Sequence, residues 1–187
     1  MALYRIYVYL HVLGAFGAFA ALAVEALALG LLCRAADAEQ QRQALALLRA
    51  DRVLGPLSTL VLLGSGLYLA FAVWSPAPPW VAASFAAFLA IVMLGAAVTG
   101  RLVAKLERSL QGAETHRQPL ATGALRSSFG ARLGLMLGIA FAMVVKPQLV
   151  GCLAALGTGL ALGLLGARSI PAAEGGRQSS DKQTTGA

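Results

Sequence analysis

Apolar residues in this chain do not alternate with polar ones; they come in long unbroken blocks. Five blocks stand out, at about 5–33, 53–74, 80–104, 128–146 and 147–167. A helix needs about 20 residues to cross the hydrocarbon core of a bilayer, with a range of about 17–25, and each block is long enough. Only helices and closed barrels cross lipid, because every backbone N–H and C=O must be paired there. Barrel strands would show a period of two, and these blocks do not. The pattern predicts an all-α membrane protein: a five-helix transmembrane bundle over residues 1–168, followed by a Ser-, Gly-, Gln- and Thr-rich stretch at 169–187 that reads as a disordered tail.

The connections differ in chemistry. CRAADAEQQRQALALLRADR, between the first and second blocks, is polar and of helical composition, and Asp37 with Gln40 resembles a capping box. SPAPP, between the second and third, is uncharged and its prolines enforce a turn. RLVAKLERSLQGAETHRQPLATGALR, between the third and fourth, places Leu102, Leu106 and Leu110 at helical spacing, which predicts a helix running on along the membrane surface. The last connection is KPQ, where Pro147 suits the first residue of a new helix. The first block is not a signal peptide in this reading: Ala18-Phe19-Ala20 offers small residues, but the basic flank follows the block instead of preceding it.

Composition supports the membrane reading. Charged residues are 12% of the chain, against about 25% in an ordinary soluble domain, so polar surface is too scarce to cover a globule in water. The net charge of +7 comes from basic residues between the apolar blocks, where it sets topology and does not imply a nucleic-acid partner. Of fifteen Lys and Arg, thirteen fall on one side of the predicted topology; Arg5 and Lys146 fall on the other. The N-terminus is therefore expected outside and the C-terminus in the cytoplasm. Tyr4, Tyr7, Tyr9, Trp74 and Trp80 fall at the expected outer interface, where aromatic rings anchor. The two cysteines, Cys33 and Cys152, fall on opposite sides, which excludes a disulfide between them within the chain.

Lipid gives no hydrophobic drive for helices to associate, so small residues that permit close approach carry weight. Gly130, Gly134, Gly138 and Ala142 step by four along the fourth block, and Gly151, Ala155, Gly159 and Gly163 along the fifth. The two ladders predict a close hairpin. Polar residues make a second pattern. His11 and Glu25 in the first block are fourteen apart, as are Arg132 and Lys146 in the fourth. Fourteen residues return to within about 40° of the same helix face and rise about 21 Å. If these antiparallel helices touch, Glu25 meets Arg132 at one level and His11 comes level with Lys146 at the other. A lone carboxylate in a membrane helix is expensive. The intramembrane pair Glu25–Arg132 is thus favoured, with Arg49, Arg52 and Arg101 as rival partners and a hydrated vestibule as the alternative.

At the outer level His11, Tyr68 and Lys146 form a candidate polar cluster, with Met143 near them in depth. His and Met can ligate haem iron or copper. The other histidine, His116, lies in the opposite connection, so a bis-histidine haem within the chain is excluded. Met93, Met136 and Met143 lie at different depths and read as packing residues. Ser58, Ser65 and Ser84 are scattered, with no histidine in an evident pairing position, so no catalytic residue and no metal site is assigned.

YVYLHVLGAFGAFA at the start, GPLSTLVLLGSGLYLA in the second block and MVVKPQLVG at the last turn resemble a family of small bacterial integral membrane proteins classed under a domain of unknown function. That group is distantly similar to copper-resistance D type membrane domains. The resemblance covers most of residues 4–167 and places His11, Lys146 and Pro147 at family-like motif positions. It implies a bacterial inner-membrane location and carries no activity over. The additional histidines and methionine-rich segments of a copper carrier are missing. The function expected is that of a non-enzymatic membrane protein in the lipid bilayer, an accessory or assembly subunit with other membrane subunits or copies of itself as partners. Two other classes stay open: a small haem- or copper-binding protein using His11 with Met143, and an oligomeric transporter or proton-coupled carrier using Glu25 and His11.

Overall fold

In the computed structural model, which describes residues 2–35, 37–73, 78–101, 103–104, 108 and 119–169, the chain folds into five long helices. They are α1 (Ala2–Arg34), α2 (Ala38–Val73), α3 (Pro79–Leu94), α4 (Pro119–Val145) and α5 (Leu149–Ser169). All five helical segments are long and apolar enough to cross a membrane, α3 being counted with the π-helical turn Gly95–Gly100 that continues it. We call the end at which α1 begins the near end and the opposite one the far end. Trp74, the helix expected through Leu102, Leu106 and Leu110, His116 and the expected tail beyond Ser169 lie outside the described residues.

The large apolar side chains point outward. Phe16, Phe71, Val144 and Val150 are each more than 70% exposed, an arrangement that water would penalise and lipid tails accept. At 33 and 36 residues, α1 and α2 are longer than a hydrocarbon core of about 30 Å requires. α2 joins the polar connection and the second apolar block in one helix that passes through Pro56. Asp37 caps its start, its carboxylate accepting from the Gln40 backbone N–H at 2.8 Å.

α1 and α2 pack as an antiparallel hairpin, and glycine sets their closeness. A Cβ at Gly14 would come within 2.9 Å of the Leu62 backbone nitrogen, and one at Gly17 would collide with the Ser58 hydroxyl. Towards the near end the same seam brings His11 to Ser65 at 3.2 Å and stacks Tyr7 on Tyr68 with ring centroids 3.7 Å apart.

α4 and α5 form the second hairpin, along the two small-residue ladders. A Cβ at Gly130 would strike the Gly163 carbonyl, and one at Gly134 that of Gly159; Gly138 faces Ala155 and Leu156. Gly151 departs from the ladder: a Cβ there would meet Pro147 of the turn at 2.8 Å. Pro147 is also not the first residue of a helix. α5 starts at Leu149, with Gln148 accepting from the Cys152 N–H at 3.0 Å. The reason is Lys146, whose φ of 51° is left-handed. It closes α4 as a C-terminal cap, its N–H still reaching the Ala142 carbonyl at 2.9 Å, and turns the chain before the proline. Arg126 ties the other end of this hairpin, donating to the carbonyls of Ala167 and Arg168 at the C-terminus of α5.

α3 packs against α4 and α5, and the two units meet where α1 packs on α4. The buried stripe on α1 is Gly14, Ala18, Ala21, Leu22, Glu25, Ala28, Leu29 and Leu32, a helical three-and-four spacing. α2 and α3, though consecutive, make no extensive contact. Towards the near end they stand apart and leave a groove.

Adding bulk tests the glycine seam. Gly134→Leu should destabilise the protein by about 1–3 kcal/mol through overpacking. Gly157→Leu, on the same hairpin but with open space around it, should be close to neutral. Thermal unfolding in mild detergent measures both, and equal losses would overturn this account of the interface.

Candidate functional site

Polar chemistry gathers at two levels of the bundle. At the α1–α4 crossing, Arg132 donates from Nη2 to Glu25 Oε1, forming a salt bridge whose side chains are 10% and 1% exposed. The same Nη2 reaches Thr99 Oγ1 at 3.1 Å, and Thr99 in turn meets Ser128 Oγ at 3.4 Å. Thr99 belongs to the π-helical turn, and that turn brings Gly95 alongside the guanidinium: a Cβ at Gly95 would lie 3.5 Å from Arg132 Nη1. Such local widening is frequent at functional sites in helices. Arg132 is thus the residue placed against Glu25, and the rival Arg101 is exposed.

The network is not saturated. Glu25 Oε2, Arg132 Nε and Asp51 Oδ1 are buried atoms with no hydrogen-bond partner among the described residues. Buried polar atoms left over around an ion pair are the usual seats of ordered water.

The second level is the groove between α2 and α3. It holds about 650 Å³ and is walled by α1, α2, α3 and α4. Phe16, Phe19, Phe71, Phe85 and Phe88 line it, and so do Met136 and Met143. Two lining residues are polar, His11 and Ser84. His11 and Met143 therefore face the same space. The expected trio of His11, Tyr68 and Lys146 is arranged differently, each having a partner outside the trio: Ser65 for His11, Tyr7 for Tyr68 and the Trp80 ring for Lys146, whose Nζ lies 5.7 Å from the ring centroid. Trp80 is itself buried.

The Ser65 hydrogen bonds favour one His11 tautomer. The Ser65 hydroxyl donates its one proton to the Val61 carbonyl at 2.6 Å. Its oxygen then accepts from His11 Nδ1–H at 3.2 Å. That leaves Nε2 as the lone-pair nitrogen, able to ligate a metal or accept a hydrogen bond. Gly66 makes room for this ring, since a Cβ there would lie 3.0 Å from its Cε1. Sequence reasoning missed Ser65, Thr99, Ser128 and Ser84 as members of these sites. The available signal was a hydroxyl inside an apolar block at the depth of His11, Glu25 or Arg132.

Five membrane-length helices, outward apolar side chains and, among the described residues, a buried ion pair at a helix crossing define an integral membrane bundle. The chain belongs to the family Predicted integral membrane protein (DUF2269), whose model matches residues 5–147. The match takes in α1 to α4, and with them the ion pair and every residue of the groove. No curated protein and no solved structure matches the chain.

The crossing makes a clear energetic prediction. Arg132→Leu or Glu25→Leu alone should cost about 3–5 kcal/mol, because each leaves a buried charge uncompensated. The double variant should recover most of that loss. Unfolding of all three in detergent gives the coupling, and a double variant as unstable as the sum of the singles would mean that the pair contributes nothing.

Proposed function

We propose that this chain is a non-enzymatic membrane protein whose working part is the groove between α2 and α3, a binding site for a lipid-soluble molecule. The observation that supports it is a space of about 650 Å³, apolar throughout except at His11 and Ser84. Ligand pockets typically hold about 300–1,000 Å³ and combine apolar walls with a few polar groups that set orientation. The groove is reached between the splayed helices α2 and α3, which is the direction from which a membrane-dissolved molecule arrives. An accessory role towards other membrane subunits then consists of holding or handing over that molecule.

A haem-binding reading stands second, favoured by the presence of His11 and Met143 on one groove. A ligating histidine commonly has its other ring nitrogen held by a hydrogen bond, as Ser65 holds Nδ1 here. The groove suits a macrocycle better than copper, since a bare ion would leave most of it unfilled. A proton-coupled carrier has less support, because Glu25 is engaged by Arg132. Purified without added ligand in lipid nanodiscs, the protein should retain a small molecule detectable by native mass spectrometry. Ala82→Trp, at an exposed residue of the groove wall, should lose it. A Soret band absent from His11→Leu would make that molecule haem; empty wild-type protein would count against the binding function.

The proposed setting is a bacterial inner membrane with the near end outside, on the strength of the thirteen-to-two distribution of Lys and Arg. A C-terminal green fluorescent protein fusion should fluoresce and a C-terminal alkaline phosphatase fusion should be inactive. The reverse pair of results would invert the topology.

A further inference from the structure

The buried stripe is not the only shaped surface of α1. On roughly the opposite side of the same helix Ala23, Ala26, Leu27, Gly30, Leu31 and Arg34 line a hollow of about 550 Å³. Ala23, Ala26 and Gly30 form its floor, and a Cβ at Gly30 would meet nothing within 4 Å. Leu27 and Leu31 rise beside that floor, 65% and 48% exposed. Arg34 closes the row. It is the last residue of α1, it is exposed, and no carboxylate among the described residues pairs with it.

Depth says what fits such a surface. Arg34 lies 27 residues beyond Tyr7, whose ring belongs to the aromatic group at the near end. At 1.5 Å per residue that is about 40 Å, and a bilayer with its headgroups is about 40–45 Å thick. With Tyr7 at one interface, Arg34 stands at the headgroup level of the other. From Ala23 to Arg34 is eleven residues, about 16 Å, against about 15 Å for half of the hydrocarbon core. The hollow has the length of one leaflet, is apolar along that length and ends in a cation.

A second copy laid on this face about a two-fold axis along the membrane normal would set Arg34 against Arg34, like charge against like. An anionic phospholipid meets both ends of the hollow. Its acyl chain fills the low strip, and its phosphate accepts from the guanidinium. A zwitterionic phospholipid brings a cation of its own to the phosphate and gains less from Arg34.

We infer that this face of α1 seats one anionic phospholipid of the leaflet at the far end, its acyl chain along Ala23, Ala26 and Gly30 and its phosphate on Arg34. The site is separate from the groove between α2 and α3 and does not depend on what fills that groove.

Native mass spectrometry from micelles doped equally with dioleoyl phosphatidylglycerol and dioleoyl phosphatidylcholine tests it. Wild-type protein should retain one phosphatidylglycerol per chain, about fivefold in preference to phosphatidylcholine, the effect of about one contact between a basic residue and anionic lipid. Arg34→Gln should cut that preference to under about twofold. Arg168→Gln removes an exposed arginine from the last turn of α5, at the same end of the bundle, and should keep it. Gly30→Phe fills the hollow and should lose the preferred lipid, while its unfolding temperature in lipid-free detergent stays at the wild-type value. Equal retention of the two lipids by wild-type protein would overturn the inference. So would a preference lost equally in Arg34→Gln and Arg168→Gln, which would make it a property of the summed surface charge. Retention that survives Gly30→Phe would remove the hollow as the seat. A dimer that Gly30→Phe dissolves, with no lipid retained by wild type, would overturn the inference too and assign the face to a second copy of the chain.

Discussion

A carboxylate and a guanidinium cannot lie buried in a bilayer except in each other's company, and Glu25 and Arg132 meet at the point where the two halves of this protein join. Lipid supplies no hydrophobic pressure to press helices together, so each contact must come from close packing or from polar atoms. Glycine makes the two hairpins, α1 with α2 and α4 with α5. The crossing of α1 on α4 is secured differently, by a charge pair with Thr99 and Ser128 around it. Replacing such a pair by apolar residues is often nearly neutral in energy, so its value here is register: it fixes at what height, and with which faces, the halves meet.

That register has a consequence at the near end. α1 is committed to α2 on one face and to α4 on another. α3 is committed to α4 and α5. α2 and α3 make no extensive contact of their own. The groove is the space so produced. Its histidine arrives by the same geometry: His11 lies about four helical turns before Glu25 on α1, on the side that the hairpin seam shares with Ser65.

Much of this was legible in the chain. Block lengths alone gave the five helices. The four-step ladders gave the α4–α5 hairpin, because backbone approach is limited only by side chains that glycine lacks, and Gly130, Gly134, Gly159 and Gly163 lie at the contact. Equal spacings on antiparallel helices were enough to bring Glu25 to Arg132, since helical rise converts residue number directly to depth. Azimuth was less readable. His11 and Lys146 share a depth but have different partners, because depth says nothing of which neighbour a face meets. The turn at Lys146 was equally hidden: a left-handed lysine has no compositional signal, and Pro147 in isolation suits a helix start. Gly14, Gly17 and Gly66, which set the α1–α2 seam, do not repeat at a regular step, so their role emerged only when both helices were placed.

A histidine in an apolar block admits two explanations, a tether between helices and a ligand to something bound. The structure gives His11 both parts at once, because an imidazole has two nitrogens. Nδ1 ties α1 to α2 through Ser65, an arrangement that favours the tautomer with the lone pair on Nε2. A histidine needed only for packing could be matched by a serine or asparagine making one bond. The glycine that makes room for its ring and the serine that orders it seat the imidazole beside a space lined by four helices. An occupant that binds the folded protein and not the unfolded chain stabilises it in proportion to how fully the groove is filled.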